Sequence, residues 1–297
     1  QIGGKIFHTR PDLEPAFDED AGRFGGHSFD VVPEKYPNPF EDLLGIHNWA
    51  VFWGGLNEAQ SEKLSDPKIA AWAADQLGQE HDQPFLLMVG FHRPHTPLAS
   101  PEEHWNHFDP EKLTLPEPAP GDLDDMPWMG RQVAIGGYQE MEGGHYRQIT
   151  ERGHHVDVLR GYLAACRFVD EQIGKVFDAL EQSPHRDNTI VVFFSDHGWG
   201  VGERYHFKKW GLWDDTTRVP FIVRAPGLTE AGTRTDAGVT TLDLYPTLVD
   251  LAGVPEPEHE LDGRSLRPLL ENPEAEWDRP ALTTFGPDNH ALRNPRW

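Results

Sequence analysis

An aspartate and a histidine stand side by side where an apolar run in the second half of the chain stops. The run IVVFF is followed directly by SDHG, which contains Asp196 and His197. A short β-branched and aromatic run that ends in a polar, glycine-containing cluster predicts a buried strand. Open α/β sheets bind ligands at the carboxyl ends of their strands. Asp196 and His197 are therefore candidate metal ligands or acid–base groups; the alternative is a helix-capping aspartate beside a surface histidine.

A second apolar run ends in a turn rich in histidine and proline. The segment VGFHRPHTP carries Arg93 and His95, and its prolines restrict how His95 is presented. A histidine and an arginine at a strand end suit an anionic ligand, because the guanidinium group matches the geometry of tetrahedral oxyanions. Solvated histidines in an ordinary turn are the alternative.

Lysines occur beside histidine or aromatic residues in two more segments. GGKIFH contains Lys5 and His8, and KKWGLWDD contains Lys209. Each segment alone is typical of a solvated surface. Taken together with the two strand ends, they suggest a metal-assisted site for an anionic tetrahedral ester, either a phosphate or a sulfate.

Alternating strand-like and helical segments would position these residues. Strands that alternate with helices predict an α/β layer architecture with a largely parallel sheet. We expect Asp66 to cap the first of these helices and Pro67 to occupy its first position. The strand-like runs cover 84–91, 189–194, 219–224 and 281–285, and the helical patterns cover 68–77, 156–182 and 241–252.

Residues 100–150 differ from the rest of the chain because they are rich in Pro, Gly, Asp and Trp. We expect a long ordered excursion there, and excursions of that length are often functional. Trp105, Trp128 and His145 are candidates to line a substrate pocket, and ordinary loop packing is the alternative.

Composition narrows the classes of partner. The 297 residues carry a formal net charge of −23, which argues against nucleic acid or an anionic membrane as the main partner. No apolar segment has the length of a membrane span. Cys166 is the single cysteine, so the sequence offers neither an internal disulfide nor a cysteine-rich metal site. It lies on the apolar stripe of a helical pattern, where a small core residue is expected.

The order of six motifs resembles the sulfatase family of the alkaline-phosphatase superfamily, and is closest to its iduronate-2-sulfatase-like branch. The resemblance implies an alkaline-phosphatase-like layered α/β fold, with a mostly parallel central sheet flanked by helices and truncated at both ends. Residues 1–285 would form a partial catalytic domain, and residues 286–297 would begin a truncated C-terminal subdomain. The motifs are GKIFH, PFLLMVGFHRPHTP, FFSDHGWGVGE, HFKKWGLWDDTTRVPFIVRAPG, TTLDLYPTLVDLAGV and LDGRSLRPLL.

The resemblance also implies a role for each candidate residue. Lys5 and Lys209 match the family's two sulfate-binding lysines. His8 matches a histidine that supports the nucleophile, and His95 matches a histidine that contacts the sulfate ester and assists the leaving group. These side chains and the metal ligands are expected to converge on one cleft.

The resemblance also implies that two residues of this chain bind a metal ion. Asp196 and His197 match neighbouring ligands of a divalent cation, usually calcium, which is also plausible because the family's site is rich in oxygen. The implied partner is a sulfated small molecule or glycan. The family's usual locations are the periplasm, the extracellular space and the lysosome.

The family's nucleophile motif is missing from these residues. Sulfatases oxidise the cysteine of C-x-[PA]-x-R to formylglycine, whereas Cys166 is followed by RFVD. The family's metal-binding Asp-Asp pair is missing too, and we expect both elements upstream of Gln1. This chain then holds the sulfate-receiving residues and would be inactive alone. The alternatives are a phosphodiesterase or phosphonate-ester hydrolase of the same superfamily, and a non-catalytic protein if Gln1 is the true start.

Overall fold

The structure is a computed structural model that describes residues 1–6, 17–22, 24, 31, 53–135 and 144–296. Two compact units account for these residues. The first unit comprises residues 1–116 and 148–187, and the second comprises residues 117–147 and 188–297. The expected boundary between residues 285 and 286 stays a prediction.

Helices and strands alternate through the first unit and the start of the second. The strands are β1 Ile2–Gly4, β2 Trp53–Leu56, β3 Met88–Gly90, β4 Leu98–Pro101, β5 Val191–Phe194, β6 Gly200–Val201, β7 Phe207–Lys208, β8 Phe221–Arg224, β9 Ala281–Thr284 and β10 His290–Arg293. The α-helices are α1 Glu58–Ser61, α2 Asp66–Leu77, α3 Glu102–His107, α4 Trp128–Ala134, α5 Gly144–Glu151, α6 His155–Gln182, α7 Asp214–Thr217, α8 Leu244–Ala252 and α9 Arg267–Glu271. Short 3-10 turns cover Pro110–Lys112, Arg186–Asn188, Glu203–Tyr205 and Thr241–Asp243.

Parallel strand pairs form the first unit. β1 pairs with β3, and β2 pairs with β4. Helix α6 packs against β2, β4 and α2, and its buried face includes Val158, Ala165 and Phe168. Gly161 permits this close approach, because a β-carbon there would lie 2.8 Å from the carbonyl oxygen of Leu98. The core of the unit includes Leu56, Ala99 and Phe168.

Helix α2 begins one residue earlier than the sequence suggested. Ser65 is the residue before the helix, Asp66 is its first residue and Pro67 its second. The Asp66 side chain does not cap the helix; its Oδ1 accepts a hydrogen bond from the backbone N–H of His92 at 2.6 Å. The carboxylate therefore joins the helix start to the turn after β3.

Antiparallel pairs form the second unit. β5 pairs with β8, β6 with β7, and β9 with β10. Helix α8 ends at Gly253, whose φ of 65° is the left-handed conformation that glycine tolerates best.

The α/β class predicted from the sequence is confirmed, and each predicted strand or helix has a counterpart. The observed strand pairing differs from the single, mostly parallel sheet that the sequence predicted. In the described parts of the chain the strands form five two-stranded pairs, of which two are parallel. Across the same residues, no helix combines the length and the apolar character needed to cross a membrane.

Candidate functional site

Lys5 and His95 follow the carboxyl ends of two paired strands in the first unit. The parallel register aligns Gly4 with Gly90, and the backbone N–H of Lys5 donates to the Gly90 carbonyl at 2.7 Å. The two backbones approach so closely that a β-carbon on Gly90 would lie 2.1 Å from the carbonyl oxygen of Lys5. Glycine is therefore required for this pairing, which sends Lys5 and the His95 turn out of the same sheet edge.

The turn after β3 fixes how His95 is presented. Its backbone N–H donates to the His92 carbonyl at 2.9 Å, and its Nδ1 lies 2.8 Å from the Thr96 carbonyl. A carbonyl only accepts hydrogen bonds, so Nδ1 carries a proton. The Nε2 atom is then the end of the ring that exchanges protons with a ligand.

Arg93 is not available to bind an anion, contrary to the expectation from the sequence. Its side chain is 3% exposed, and its Nε donates to the Ala99 carbonyl at 2.8 Å. Burial lowers the pKa of Arg93, while the nearby charge of Asp66 opposes that shift. Burial also raises the pKa of Asp66, which the Arg93 charge and the His92 N–H oppose. Asp66 and Arg93 are thus structural supports of the His95 turn.

Asp196 and His197 follow β5 in the second unit. The Asp196 side chain is 71% exposed, and its Oδ1 accepts from the His197 backbone N–H at 3.1 Å. The Nδ1 atom of His197 lies 2.8 Å from the Gly198 carbonyl, so Nδ1 carries a proton. The other ring nitrogen, Nε2, lies 3.6 Å from Oδ2 of Asp196.

This arrangement suits a divalent cation. Two ligands at right angles around one ion, each about 2.3–2.6 Å away, are about 3.3–3.7 Å apart. The separation of 3.6 Å between His197 Nε2 and Asp196 Oδ2 falls in that range. A histidine whose Nδ1–H is bonded to a backbone carbonyl is also the usual arrangement of a metal-binding imidazole. The two residues therefore fit the metal role that the sequence suggested.

Lys209 follows the β6–β7 hairpin, which starts three residues after His197. The hairpin register pairs Gly200 with Lys208, so Lys209 directly follows the last paired residue. The Lys208 ammonium lies 2.6 Å from Nε2 of His145, a residue that the structure buries. Lys208 and Lys209 therefore differ in their surroundings, because the Lys208 ammonium contacts His145 within residues 100–150.

Asp215 is a titratable residue near this segment that the sequence did not single out. Its pKa is raised to about 6, chiefly by burial and then by the charge of Glu203; backbone N–H groups and Arg204 oppose the rise. The segment after His197 packs on its backbone, because Gly198 donates to the Thr216 carbonyl and Trp199 to the Asp215 carbonyl, each at 2.9 Å. An aspartate in a short polar run gives no sequence signal of this burial.

The three candidate pocket residues of the excursion differ in their exposure and contacts. Trp105 is 5% exposed and stacks under the Arg160 guanidinium, which lies 4.3 Å from the ring centroid. Trp128 is 69% exposed. Only His145 contacts a residue adjacent to a predicted site residue, through Lys208.

Cys166 lies on helix α6 and is partly exposed, whereas the sequence predicted a core residue. Burial raises its pKa to about 11. A thiol is nucleophilic as the thiolate, so this residue is unsuited to nucleophilic catalysis near neutral pH.

One further cluster has the residue types of a metal site. The potential ligand atoms of Glu103, His104 and Glu171 lie within 4.8 Å of one another. However, Nδ1 of His104 accepts from the Arg167 guanidinium at 2.7 Å, so the ring proton is on Nε2, facing both carboxylates at 3.5 Å. A protonated nitrogen does not bind a metal, and we interpret this cluster as structural.

The predicted site residues are distributed over both units. Lys5 and His95 lie in the first unit, and Asp196, His197 and Lys209 lie in the second. His8 lies outside the described residues. The roles assigned to all six stay predictions.

Comparison with known proteins gives consistent matches along the chain. Residues 15–254 match the family model described as Sulfatase. The chain is 33% identical over 299 residues to a sulfatase of Formosa agariphila, an alignment that covers 98% of this chain and 56% of that protein. It is 32% identical over 203 residues to the iduronate 2-sulfatase of Mus musculus, covering 59% of this chain and 37% of that protein.

The fold is also similar to solved structures. The phosphonate monoester hydrolase of Agrobacterium radiobacter matches with a TM-score of 0.60 and 28% sequence identity, over 75% of this chain and 45% of that one. The chain therefore spans about half the length of the proteins it resembles.

Proposed function

Because the chain belongs to the sulfatase family, we propose that it carries the sulfate-binding and metal-binding part of a sulfuric-ester hydrolase. The proposed substrate is a sulfated carbohydrate or a related small ester. The observation that supports this most directly is the orientation of His197, whose Nε2 faces Oδ2 of Asp196 at 3.6 Å while its Nδ1 is bonded to the Gly198 carbonyl. Two Lewis bases turned toward each other provide a place for a cation.

Charge neutralisation is the proposed task of the two lysines. The sulfuryl oxygens of a sulfate ester carry negative charge that shifts during transfer, and fixed cationic donors stabilise that charge best when they are in place beforehand. Lys5 is held by the hydrogen bond of its own backbone N–H to Gly90, and Lys209 by its position directly after the β6–β7 hairpin. Both ammonium groups would bind the sulfuryl oxygens.

His95 is proposed to protonate the departing alcohol. With Nδ1–H bonded to the Thr96 carbonyl, Nε2 is the atom that would hold the transferred proton. A positioned general acid of this kind contributes about 10²–10⁴ to a rate. The two bonds of the His95 turn orient the ring without any contribution from substrate.

Members of the sulfatase family generally use a divalent metal, and we propose that Asp196 and His197 hold it here. Bound there, a divalent cation would supply positive charge beside the reacting oxygens and lower the pKa of a bound hydroxyl. We propose calcium as the ion. Of the two described ligands only Asp196 offers the oxygen that calcium prefers, while imidazole also suits zinc and other transition metals. Metal analysis of the purified protein decides this, and zinc in place of calcium would contradict the proposal.

The nucleophile is proposed to be a formylglycine formed from a cysteine outside residues 1–297. Its hydrate would provide the hydroxyl that attacks sulfur. Cys166 does not compete for this role, because its thiol is buried and its pKa is raised to about 11. His8 is proposed to support the nucleophile, as its place in the GKIFH motif implies.

The proposed activity is tested with the protein expressed from its complete reading frame together with a formylglycine-generating enzyme. We expect hydrolysis of 4-nitrophenyl sulfate and release of sulfate from sulfated monosaccharides. We also expect a mass change at the oxidised cysteine. Absence of any sulfate release from a folded, metal-loaded and oxidised protein would contradict the proposal and favour a non-catalytic binding protein.

A phosphonate-ester hydrolase is the second candidate, supported by the structural likeness to the enzyme of Agrobacterium radiobacter. Sulfate and phosphonate esters are both tetrahedral and anionic, so lysines and a metal would serve either. Comparison of kcat/KM for 4-nitrophenyl sulfate and for 4-nitrophenyl phenylphosphonate separates the two. We expect the sulfate ester to be preferred by at least tenfold.

The proposed partners and location follow the same family relationship. A sulfated glycan or small molecule is the proposed ligand, and a periplasmic, extracellular or lysosomal compartment is the proposed location. Cell fractionation with an antibody against the chain tests the location, and recovery in the cytosol would contradict it.

A further inference from the structure

His206 is fully buried between two backbone carbonyl groups of the second unit. Its exposed fraction is 0%. Its Nδ1 lies 3.0 Å from the carbonyl oxygen of Ala134, and its Nε2 lies 3.1 Å from the carbonyl oxygen of Lys208. Both ring nitrogens therefore have an acceptor as a neighbour at hydrogen-bonding distance.

This geometry has a consequence for the proton count of the ring. A neutral imidazole has one N–H and one lone pair, and a carbonyl oxygen cannot donate to that lone pair. Two carbonyls are satisfied together only when both ring nitrogens carry a proton, as in the imidazolium ion. In a buried site, a lone pair turned toward a carbonyl oxygen leaves the ring nitrogen without a hydrogen bond, at a cost of about 1–3 kcal/mol. The Ala134 carbonyl itself also accepts from Nε1 of Trp213 at 3.2 Å.

The surroundings of the ring include charge of both signs. Gly200 separates His206 from a carboxylate, because a β-carbon on Gly200 would lie 2.7 Å from His206 Cδ2 and 2.9 Å from Asp215 Oδ2. The Ala134 carbonyl lies at the end of helix α4, where the helix dipole also favours a cation. Among the described residues, charged groups on neighbouring elements include Glu203 and Arg204 before the ring, Lys208 and Lys209 after it, His145 against Lys208, Arg131 on α4 and Asp214 on α7.

The positive charges near the ring oppose its protonation, and most of them interact with other groups. The Lys208 ammonium is directed to His145, and the Arg131 guanidinium donates to the carbonyls of Asp124 and Met126. The Arg204 guanidinium lies over the Trp213 ring, 4.5 Å from its centroid. Across Gly200 from the ring lies the carboxylate of Asp215.

We propose that His206 is an imidazolium in the folded protein and acts as a positioning residue for the Lys208–Lys209 segment. Its two N–H groups join the end of helix α4 to the strand that delivers Lys209. Lys208 has a φ of 78°, a left-handed conformation that costs a non-glycine residue about 1 kcal/mol or more and needs support from its surroundings. The His206 bond to the Lys208 carbonyl provides that support. The catalytic consequence rests on the proposed function, whereas the protonation state does not.

The protonation state is tested on the chain as it stands, without any assay of activity. The ring nitrogens are observed by ¹⁵N-detected NMR between pH 5 and 9, and His206 is assigned from the signals lost in His206→Gln. We expect both nitrogens to be protonated at pH 7.5, with a midpoint at least one unit above the ordinary histidine value of about 6.5. The exposed His290 is the reference ring in the same spectra. A deprotonated nitrogen on His206 at pH 7.5, or a midpoint no higher than that of His290, would overturn the proposal.

The positioning role is tested in the protein expressed from its complete reading frame. His206→Gln keeps a donor but removes the charge, and His290→Gln on strand β10 is the matched control. We expect His206→Gln to lower kcat at least tenfold with KM changed less than threefold, and to remove the alkaline limb that the native pH profile shows at the His206 midpoint. His290→Gln should leave both constants unchanged.

The NMR experiment and the kinetic experiment test the protonation state and the positioning role of His206 separately. An imidazolium at His206 together with an unaltered kcat in a folded His206→Gln variant would overturn the positioning role. If the complete protein shows no sulfate release, the proposed function fails while the NMR result still decides the charge. If His206→Gln does not fold, the wild-type spectra assigned from the remaining histidine variants still give the answer.

Discussion

The imidazole of His197 turns its Nε2 atom toward Oδ2 of Asp196, 3.6 Å away, because its Nδ1–H is bonded to the Gly198 carbonyl. The backbone thus fixes which nitrogen is available as a ligand. Two adjacent residues with this relative orientation can bind a single ion without a change of tautomer.

Removal of either ligand should therefore lower metal affinity. We expect Asp196→Asn and His197→Gln each to weaken divalent-metal binding at least tenfold, because each takes away one ligand. Isothermal titration of the metal-stripped protein from the complete reading frame measures this. His104→Gln is the control, since His104 offers a protonated nitrogen to its neighbouring carboxylates. Equal loss of affinity in His104→Gln would show that the Glu103 cluster binds the metal instead.

Lys209 should contribute more to turnover than an ordinary surface lysine. Loss of one preorganised cationic contact to a transition-state oxygen costs about 10²–10³ in kcat, and we expect Lys209→Met to fall in that range. Lys112→Met is the matched control, because the Lys112 side chain is 83% exposed and pairs with Asp109 on the surface. Steady-state kinetics with a sulfate ester give both constants. A change in Lys209→Met no larger than that in Lys112→Met would exclude a role in catalysis.

Asp66 and Arg93 should behave as a coupled buried pair. Asp66→Asn keeps an acceptor for the His92 N–H but leaves the buried Arg93 charge without its counter-charge, and we expect a loss of about 3 kcal/mol in the free energy of unfolding. Arg93→Met added to Asp66→Asn should recover part of that loss. Urea unfolding of the four species completes the cycle.

An exposed pair provides the comparison for that cycle. The Arg264–Asp278 contact of 3.0 Å has side chains 46% and 76% exposed. Asp278→Asn should cost less than about 1 kcal/mol. Additive effects of the two substitutions at Asp66 and Arg93 would contradict the coupling.

Asp215 should make stability fall as the pH rises toward neutrality. Its pKa is raised to about 6 in the folded chain from 3.8, so between those values the folded state holds more proton than the unfolded state. Stability is then greatest below about pH 4 and declines until the carboxyl is ionised above about pH 6. A rise of about 2 pKa units corresponds to a loss of at most about 3 kcal/mol.

Asp215→Asn removes that dependence. We expect the free energy of unfolding of the variant to exceed that of the native chain at pH 7.5. At pH 4 it should not exceed the native value. Both measurements are made in metal-free buffer. Urea titrations at the two pH values measure the difference. A parallel loss of stability in both chains from pH 4 to 7.5 would contradict the assignment.

Cys166 should be inert in the folded protein. Its pKa of about 11 leaves little thiolate at pH 8, and its side chain is only partly exposed on α6. We expect no alkylation by iodoacetamide before denaturation and complete alkylation afterwards. Cys166→Ala should leave turnover unchanged. Loss of activity on native alkylation would contradict this.

Local patterns predicted the elements well because they depend on neighbours in sequence. The apolar stripe of α6 and the β-branched run of β5 are local signals, and both elements are present. Strand partners are not local: nothing in the run before Asp196 indicates that β5 pairs antiparallel with β8. The largely parallel arrangement predicted from the sequence matches the pairs of the first unit, β1 with β3 and β2 with β4, whereas the pairs of the second unit are antiparallel.

The surroundings of individual side chains in the folded protein were the second property that the sequence did not predict. Arg93 looked like an anion ligand because its partner Asp66 lies on a helix far back in the sequence. His206 gave no signal at all, since both of its acceptors are backbone carbonyls, which every residue possesses. Burial of Asp215 likewise depends on tertiary packing. Residue type and spacing predicted the side chains that follow strand ends. They did not predict the buried side chains that hold those segments in place.

The pairing of β1 with β3 has a consequence for the order of folding. The Met88 N–H donates to the Gln1 carbonyl at 3.0 Å, a contact between residues 87 positions apart. Closing a chain segment of that length costs entropy that only the completed strand pair and its packing repay. Lys5 and His95 therefore become neighbours at one sheet edge late in folding, and a nascent chain that has not reached β3 carries the lysine without its histidine. The geometry around these two residues is thus an indicator of how far the first unit has folded.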